Sequence, residues 1–285
     1  MSTNITTAFV NQFSSNVAML SQQKSSLFRN AVRVESVTGE KAFFDQVGSS
    51  AAVLRSSRHA DTPLVDTPHS RRQVALSDYE WGDLVDDQDQ VRLLINPTST
   101  YAQAAAAALG RSMDDVCISA FLGTANTGVA GGTSTTLPAG QKIAHGSAGL
   151  TIAKLITAKK TLDANSVDSS IPRYIAVSPE QIEDLLNNTT VTSSDYNTVK
   201  ALAQGEIDTY VGFKFIVTNR LTDDGTSRQC IAWAQDGLTL GIGKDLSAKI
   251  DVRIDKSYAT QVYACMSIGA TRMEEEKVVE IACNE

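Results

Sequence analysis

The side chains most able to do chemistry are few in this chain of 285 residues, and their spacing argues against a built catalytic or metal site. The histidines His59, His69 and His145 lie far apart, each in a Ser-, Pro- or Gly-rich stretch. A histidine base needs an orienting partner within hydrogen-bond reach, and none is suggested, so solvated loop histidines are expected. Asp83, Asp86, Asp87 and Asp89 gather carboxylates, the chemistry of a hard-cation site. An EF-hand loop, however, needs alternate ligands, a Gly at its sixth position and a Glu at its twelfth. This cluster has neither the Gly nor the spacing, and a solvated or arginine-pairing acidic face is expected. Gly241-Ile242-Gly243-Lys244 has the ending of a phosphate loop, but Leu238 occupies the place of the first Gly. Asp245 then follows the lysine and would repel phosphate, so a tight strand connection is the reading. Cys117, Cys230, Cys265 and Cys283 contain no CxxC pair and are read as reduced, mostly buried thiols. No GxSxG, HExxH or GxGxxG pattern occurs. No catalytic, cofactor or metal residue is therefore assigned, and the chain is not read as an enzyme.

The balance of residues agrees. A hydrophobic share of 42% and a charged share of 20% suit a folded chain with a sizeable core, in one large domain or two smaller ones. The net charge of -7 disfavours a sequence-reading nucleic-acid binder, which needs clustered Lys and Arg. It suits a wall that surrounds DNA without gripping it. The N-terminal MSTNITTAFVNQF lacks the basic and apolar regions of a signal peptide, and no apolar run is long enough to span a membrane.

The elements that would position any functional surface follow from periodicity. Phe9, Phe13, Val17 and Leu20 recur at helical spacing in residues 5–28. Val32 and Val34 alternate with Arg33 and Glu35 as in a strand, and Thr38-Gly39 signals a turn. From there to about residue 78 the chain has Pro63, Pro68, many Ser and Thr, and too few apolar residues to fill a core. Such a segment is unusual inside a compact domain. It is expected to be a linker or a long two-stranded arm that packs on other chains. After VRLLI and Asn96-Pro97, the alanine-rich residues 98–122 predict a helix roughly 35 Å long, with Ala105, Leu109, Met113, Val116 and Ala120 along one face. Residues 123–149 read as a flexible Gly/Ser/Thr loop.

Beyond residue 150 the pattern becomes α/β. Ile152, Leu155, Ile156, Lys159 and Leu162 form a helical stripe. A strand at Tyr174–Val177 runs into a helix capped by Ser178, Pro179 and Gln181, with Ile182, Leu185 and Leu186 inward. A helix at 196–204, strands at 210–217 and 230–234, and a turn at 222–225 follow. Ile250, Val252 and Ile254 alternate with charges as in a half-buried strand. Val262, Ala264, Met266 and Ile268 share a face of the next.

The order of these segments resembles the HK97-like major capsid proteins of tailed bacteriophages over nearly the whole chain. RYIAVSPEQIEDLL, YVGFKFIVTNRL and the terminal GATRMEEEKVVEI carry the likeness locally. The resemblance implies an α+β fold with an N-terminal arm (1–35) and an extended E-loop hairpin (36–78). It further implies a peripheral domain with a spine helix (79–122), a glycine-rich loop and an axial domain of sheet and flanking helices (123–249), and return strands (250–285). It also implies assembly into pentamers and hexamers of an icosahedral shell around double-stranded DNA, put together in the host cytoplasm, with scaffolding, portal and decoration proteins as further partners. The chain enters the arm almost at once, unlike family members with a long scaffolding extension, which points to a separate scaffolding protein or a processed product; the initial Met argues against processing. Arg55, Arg58, Arg71 and Arg72 of the arm are candidates for pairing with Asp83, Asp86 and Asp87 of a neighbouring subunit. The alternatives are an encapsulin-like compartment shell, a soluble α/β enzyme with dispersed site residues, and another virion component such as a tail protein.

Overall fold

A computed structural model describes residues 21–59, 61–85, 98–187 and 209–285. The chain forms two compact units. The first comprises residues 1–25, 79–111 and 246–266, and the second comprises 26–78, 112–245 and 267–285. The segments VRLLI and 196–204, the stripe at Phe9–Leu20, and Asp86, Asp87 and Asp89 lie outside the described residues.

The second unit is built on a six-stranded sheet. Its strands are β7 (Lys142–Ile143), β8 (Arg173–Val177), β9 (Thr209–Tyr210), β10 (Phe213–Val217), β11 (Ser227–Ala234) and β14 (Val278–Asn284). They lie in the order β7-β14-β11-β8-β10-β9. Here β8 and β10 are parallel, while β11 runs antiparallel to both β8 and β14. The three central strands are short apolar runs because both of their faces are covered; Ile175, Cys230, Ile231 and Ile281 are fully buried. Two helices accompany the sheet, α2 (Ile152–Ala164) and α3 (Pro179–Asn187). In α2 the buried stripe is Leu155, Ala158 and Leu162. Ile156, expected inward, is 54% exposed because it falls one step round the helix from that stripe.

At the start of α3 half of the expected capping box forms. Gln181 Oε1 accepts from the Ser178 N–H at 2.8 Å. The Ser178 hydroxyl reaches Glu285 instead, at 3.0 Å. Leu185 and Gln181 are the buried residues, with Ile182 and Leu186 half-buried. The expected strand 210–217 is interrupted, because Val211 and Gly212 both take positive φ and make a two-residue hairpin turn.

The long helix α1 (Thr98–Leu122) has its predicted range. Its second half belongs to this unit, where Met113, Cys117, Ile118 and Phe121 are buried and Val116 is half-buried. Trp233 packs among Phe28, Phe121 and Tyr174 at ring separations of 5.5, 4.7 and 5.9 Å, and its indole N–H donates to the Ala31 carbonyl at 2.9 Å.

Strand β1 (Arg33–Ser36) is a strand as expected, but it does not pair with the hairpin strands of the segment 36–78. It runs parallel to β12 (Leu238–Arg253), with Arg33 opposite Thr239. Val34 is accordingly exposed while Val32 and Val37 are buried. Gly241 to Lys244 lie within the unbroken strand β12, not at a connection. A Cβ at Gly241 would press on Val37 and Val74, and one at Gly243 on Leu76, so the glycines serve close packing. The antiparallel partner β13 (Ala259–Arg272) buries Val262, Ala264, Met266 and Ile268 as expected. The four-stranded sheet has the order β1-β12-β13-β4, with β4 spanning Ser77–Val85. Within the first unit Ile250, Val252 and Ile254 are exposed, contrary to the half-buried expectation. Strands β12 and β13 contribute residues to both units, and the last strand, β14, joins the six-stranded sheet.

Candidate assembly surface

The segment 36–78 contains a long hairpin. Strands β2 (Lys41–Val47) and β3 (His69–Ala75) pair antiparallel, with Lys41 opposite Ala75 and Val47 opposite His69. Gly39, at φ 92°, turns the chain into β2. The Gly48 N–H donates to the Pro68 carbonyl at 2.8 Å and closes the ribbon. The glycine-rich stretch 123–149 is more ordered than expected. Its strands β5 (Ala125–Thr127) and β6 (Thr133–Thr135) extend the ribbon into a four-stranded sheet, β2-β3-β5-β6. An open cleft of about 510 Å³ lies along Asp45, His69, Arg71, Thr127 and Val129.

Beyond Gly48 every described residue up to Asp66 is exposed. Leu54 is 92% exposed and Leu64 fully so, with Val53 and Val65 beside them. The prolines Pro63 and Pro68, which cannot donate to a ladder, keep this stretch from pairing with itself. The loop thus presents apolar side chains with nothing of its own to cover them.

The paired part of the ribbon is the opposite. Arg72 is buried and places Nη2 2.6 Å from Glu275 Oε2, while its Nε donates to the Met273 carbonyl at 2.8 Å. Gln46, on the other strand, donates to the same carbonyl at 3.0 Å. Arg272 is fully buried and donates to the carbonyls of Phe121, Gly123 and Thr135 at 2.6, 2.8 and 3.1 Å. Its Nε stands 3.6 Å from Glu275 Oε1. Burial lowers the Arg272 pKa, and the Glu275 carboxylate opposes that shift.

The candidate contact residues therefore divide. Arg55 and Arg58 are exposed, Arg55 donating only to the nearby Ser57 carbonyl at 2.8 Å. Arg71 pairs with Asp45 across the ribbon and lies over the Phe43 ring, 5.5 Å from its centroid. That pairing lowers the Asp45 pKa and raises that of Arg71. Arg72 is not on the outer surface, because a guanidinium buried beside Glu275 is held by its own chain. Asp83, in the first unit, is exposed and accepts from the Leu84 N–H at 2.8 Å. Sequence reasoning did not find Glu275, Arg272 or Gln46. The one available signal was the acidic run Glu274-Glu275-Glu276 directly after an apolar strand.

The arrangement, a reaching ribbon on a mixed α+β body with a long helix, defines an HK97-like shell protein. The model of the family described as phage capsid protein matches residues 5–285. The fold is similar to that of the capsid of cyanophage P-SCSP1u, with a TM-score of 0.76 at 19% identity, covering 100% of this chain and 96% of that one. It is also similar to the capsid of Ralstonia phage GP4, at 0.73 and 11% identity over 97% and 95% of the two chains. A native GTA particle capsid gives 0.72 at 12% identity over 98% and 96%. A search of curated proteins by sequence finds no match. The chain belongs to the phage capsid protein family, and its work is structural, as a major capsid protein of an icosahedral bacteriophage shell. It assembles with copies of itself in the virion capsid. The family match favours this over a cargo-enclosing compartment shell or a soluble α/β enzyme.

Proposed function

We propose that the ribbon at 36–78 is an E-loop that lies over an adjacent subunit and that this contact closes pentamers and hexamers. Heterologous contacts repeated about a rotation axis close into rings. The supporting observation is the exposure of Leu54 and Leu64 at the end of a ribbon whose base is buried. Burying each leucine contributes about 1.5–3 kcal/mol. An exposed ion pair of Arg55 or Arg58 with an acidic group such as Asp83 of a neighbour contributes about 0–1 kcal/mol. The apolar contacts therefore supply the affinity, and the arginines, with Asp86 and Asp87, supply register and choice of partner.

On this reading residues 1–35 are the N-terminal arm, 79–122 the peripheral domain with α1 as spine, 123–249 the glycine-rich loop and axial domain, and 250–285 the return strands of the peripheral domain. The subunit assembles in the host cytoplasm with scaffolding, portal and decoration proteins, and performs no catalytic step.

Deleting residues 49–67, outside the Gly48–Pro68 closure, tests the reading. The expected product is a folded subunit that makes no shells under negative-stain electron microscopy. Normal particles from the deleted chain would overturn the arm assignment.

A further inference from the structure

The ribbon has a fixed joint as well as a free end, and the joint is made of charge. Glu275 stands between two guanidiniums, Arg72 of the ribbon at 2.6 Å and Arg272 at 3.6 Å. Arg272 in turn holds the carbonyls of Phe121 and Gly123. These acceptors lie in the last turn of α1 and directly after it, where the helix dipole concentrates negative charge and a cation is favoured. On the ribbon side, Arg72 of β3 and Gln46 of β2 converge on the Met273 carbonyl, so both strands are gripped at one point. Ser70 donates to Gln46 at 3.1 Å and steadies that amide. The link runs from the end of α1 through Arg272 and Glu275 into both strands, all within one compact unit.

Its placement matters because the exposed loop begins just beyond it. Gln46 is one residue from the end of β2, and the exposed stretch 49–66 starts three residues after it. The clamp therefore fixes the direction in which the loop leaves the sheet. We propose that the Arg72–Glu275–Arg272 bridge is a positioning element that sets the angle of the arm, and thereby the curvature at which neighbouring subunits close. This rests on the arm reading above. Arg72 is a positioning residue, since it is buried and held by Glu275 and the Met273 carbonyl of its own chain.

R72Q tests it with the least disturbance of charge, because Arg272 and Glu275 then remain as a neutral pair. The R72Q subunit is expected to keep its near-ultraviolet circular dichroism and cooperative melting. Its yield of closed shells of native diameter, counted by electron microscopy, falls roughly tenfold, the effect of one charged hydrogen bond. Open sheets and particles of mixed diameter replace them. R72K keeps the ion pair but loses the fork that also holds Met273, and its particle diameters are expected to spread without loss of folding.

Native diameters and yields from a folded R72Q chain overturn the joint, as do native shells from R72K should R72Q fail to fold. The 49–67 deletion separates the two ideas. Shells from the deletion sink the arm reading and the joint with it, whereas no shells from the deletion but native shells from R72Q sink the joint alone.

Discussion

Asp114 sits in the middle of α1 with its carboxylate fully buried, a costly place for a charge unless every oxygen is used. It accepts from the Ser26 hydroxyl at 2.5 Å and from the N–H groups of Leu27 and Phe28 at 3.1 and 3.3 Å. One residue thereby ties the segment entering the fold to the long helix and seats Phe28 against Trp233. Asp114→Ala is expected to lower stability by about 1–3 kcal/mol, through three donors left unpaired, as read by urea denaturation. Glu285 is a second such anchor. Arg228 holds its carboxylate below the usual value of 4.5, and Gln181 and Ser178 add to the shift. A depressed folded pKa gives stability that is full above the unfolded value and is lost as pH falls through the folded one. The urea midpoint should therefore drop as pH falls below the usual carboxylate value of 4.5, and E285Q should flatten that part of the profile while lowering stability at neutral pH. An unchanged acid limb in E285Q would show that the clamp contributes nothing.

At the scale of elements, the strands show where local preference yields to packing. The turn Val211-Gly212 joins β9 to β10 with φ of 53° and 85°. A β-branched residue is strained at positive φ, whereas Asn and Gly are at ease there. Val211→Asn is expected to raise stability by roughly 1 kcal/mol, measurable as a higher melting temperature. An unchanged or lower melting temperature would mean that the half-buried valine gains more from packing than it loses in strain. In β12 the glycines stand where Val37, Val74 and Leu76 approach the strand. In β13 a Cβ on Gly269 would collide with the Ala75 carbonyl oxygen. The ribbon base is thus held by close backbone approach as well as by the charges of Arg72 and Glu275.

For the whole molecule, exposure follows function. The described residues of the six-stranded sheet bury most of their apolar groups within their own unit, Val217 excepted, while the end of the ribbon and residues 246–254 of the first unit leave Leu54, Leu64, Ile250, Val252 and Ile254 in solvent. A subunit that worked alone would gain by making these polar. On the proposed reading they are the surface left for copies of the same chain. Replacing both loop leucines with aspartate should therefore leave the melting temperature of the isolated subunit within a few degrees of the parent and abolish particles, a separation that size-exclusion chromatography reads directly.

Periodicity and composition alone determined the helix at 98–122, strands at 174–177 and 230–234, the buried face of β13, and the inability of residues 36–78 to fill a core of their own. These are local properties: a run of alanines, an apolar alternation or a shortage of apolar side chains acts over a few neighbouring residues. The partners of each element were decided only by the tertiary structure. It sent Arg33–Ser36 to β12 instead of into the ribbon, placed Arg72 inside against Glu275, and exposed Ile250 and Val252 despite their strand-like alternation. Arg72 and Glu275 are about two hundred residues apart in sequence. Pairs at such separation are set by how sheets pack and by which buried charges must find one another, and no local pattern encodes that.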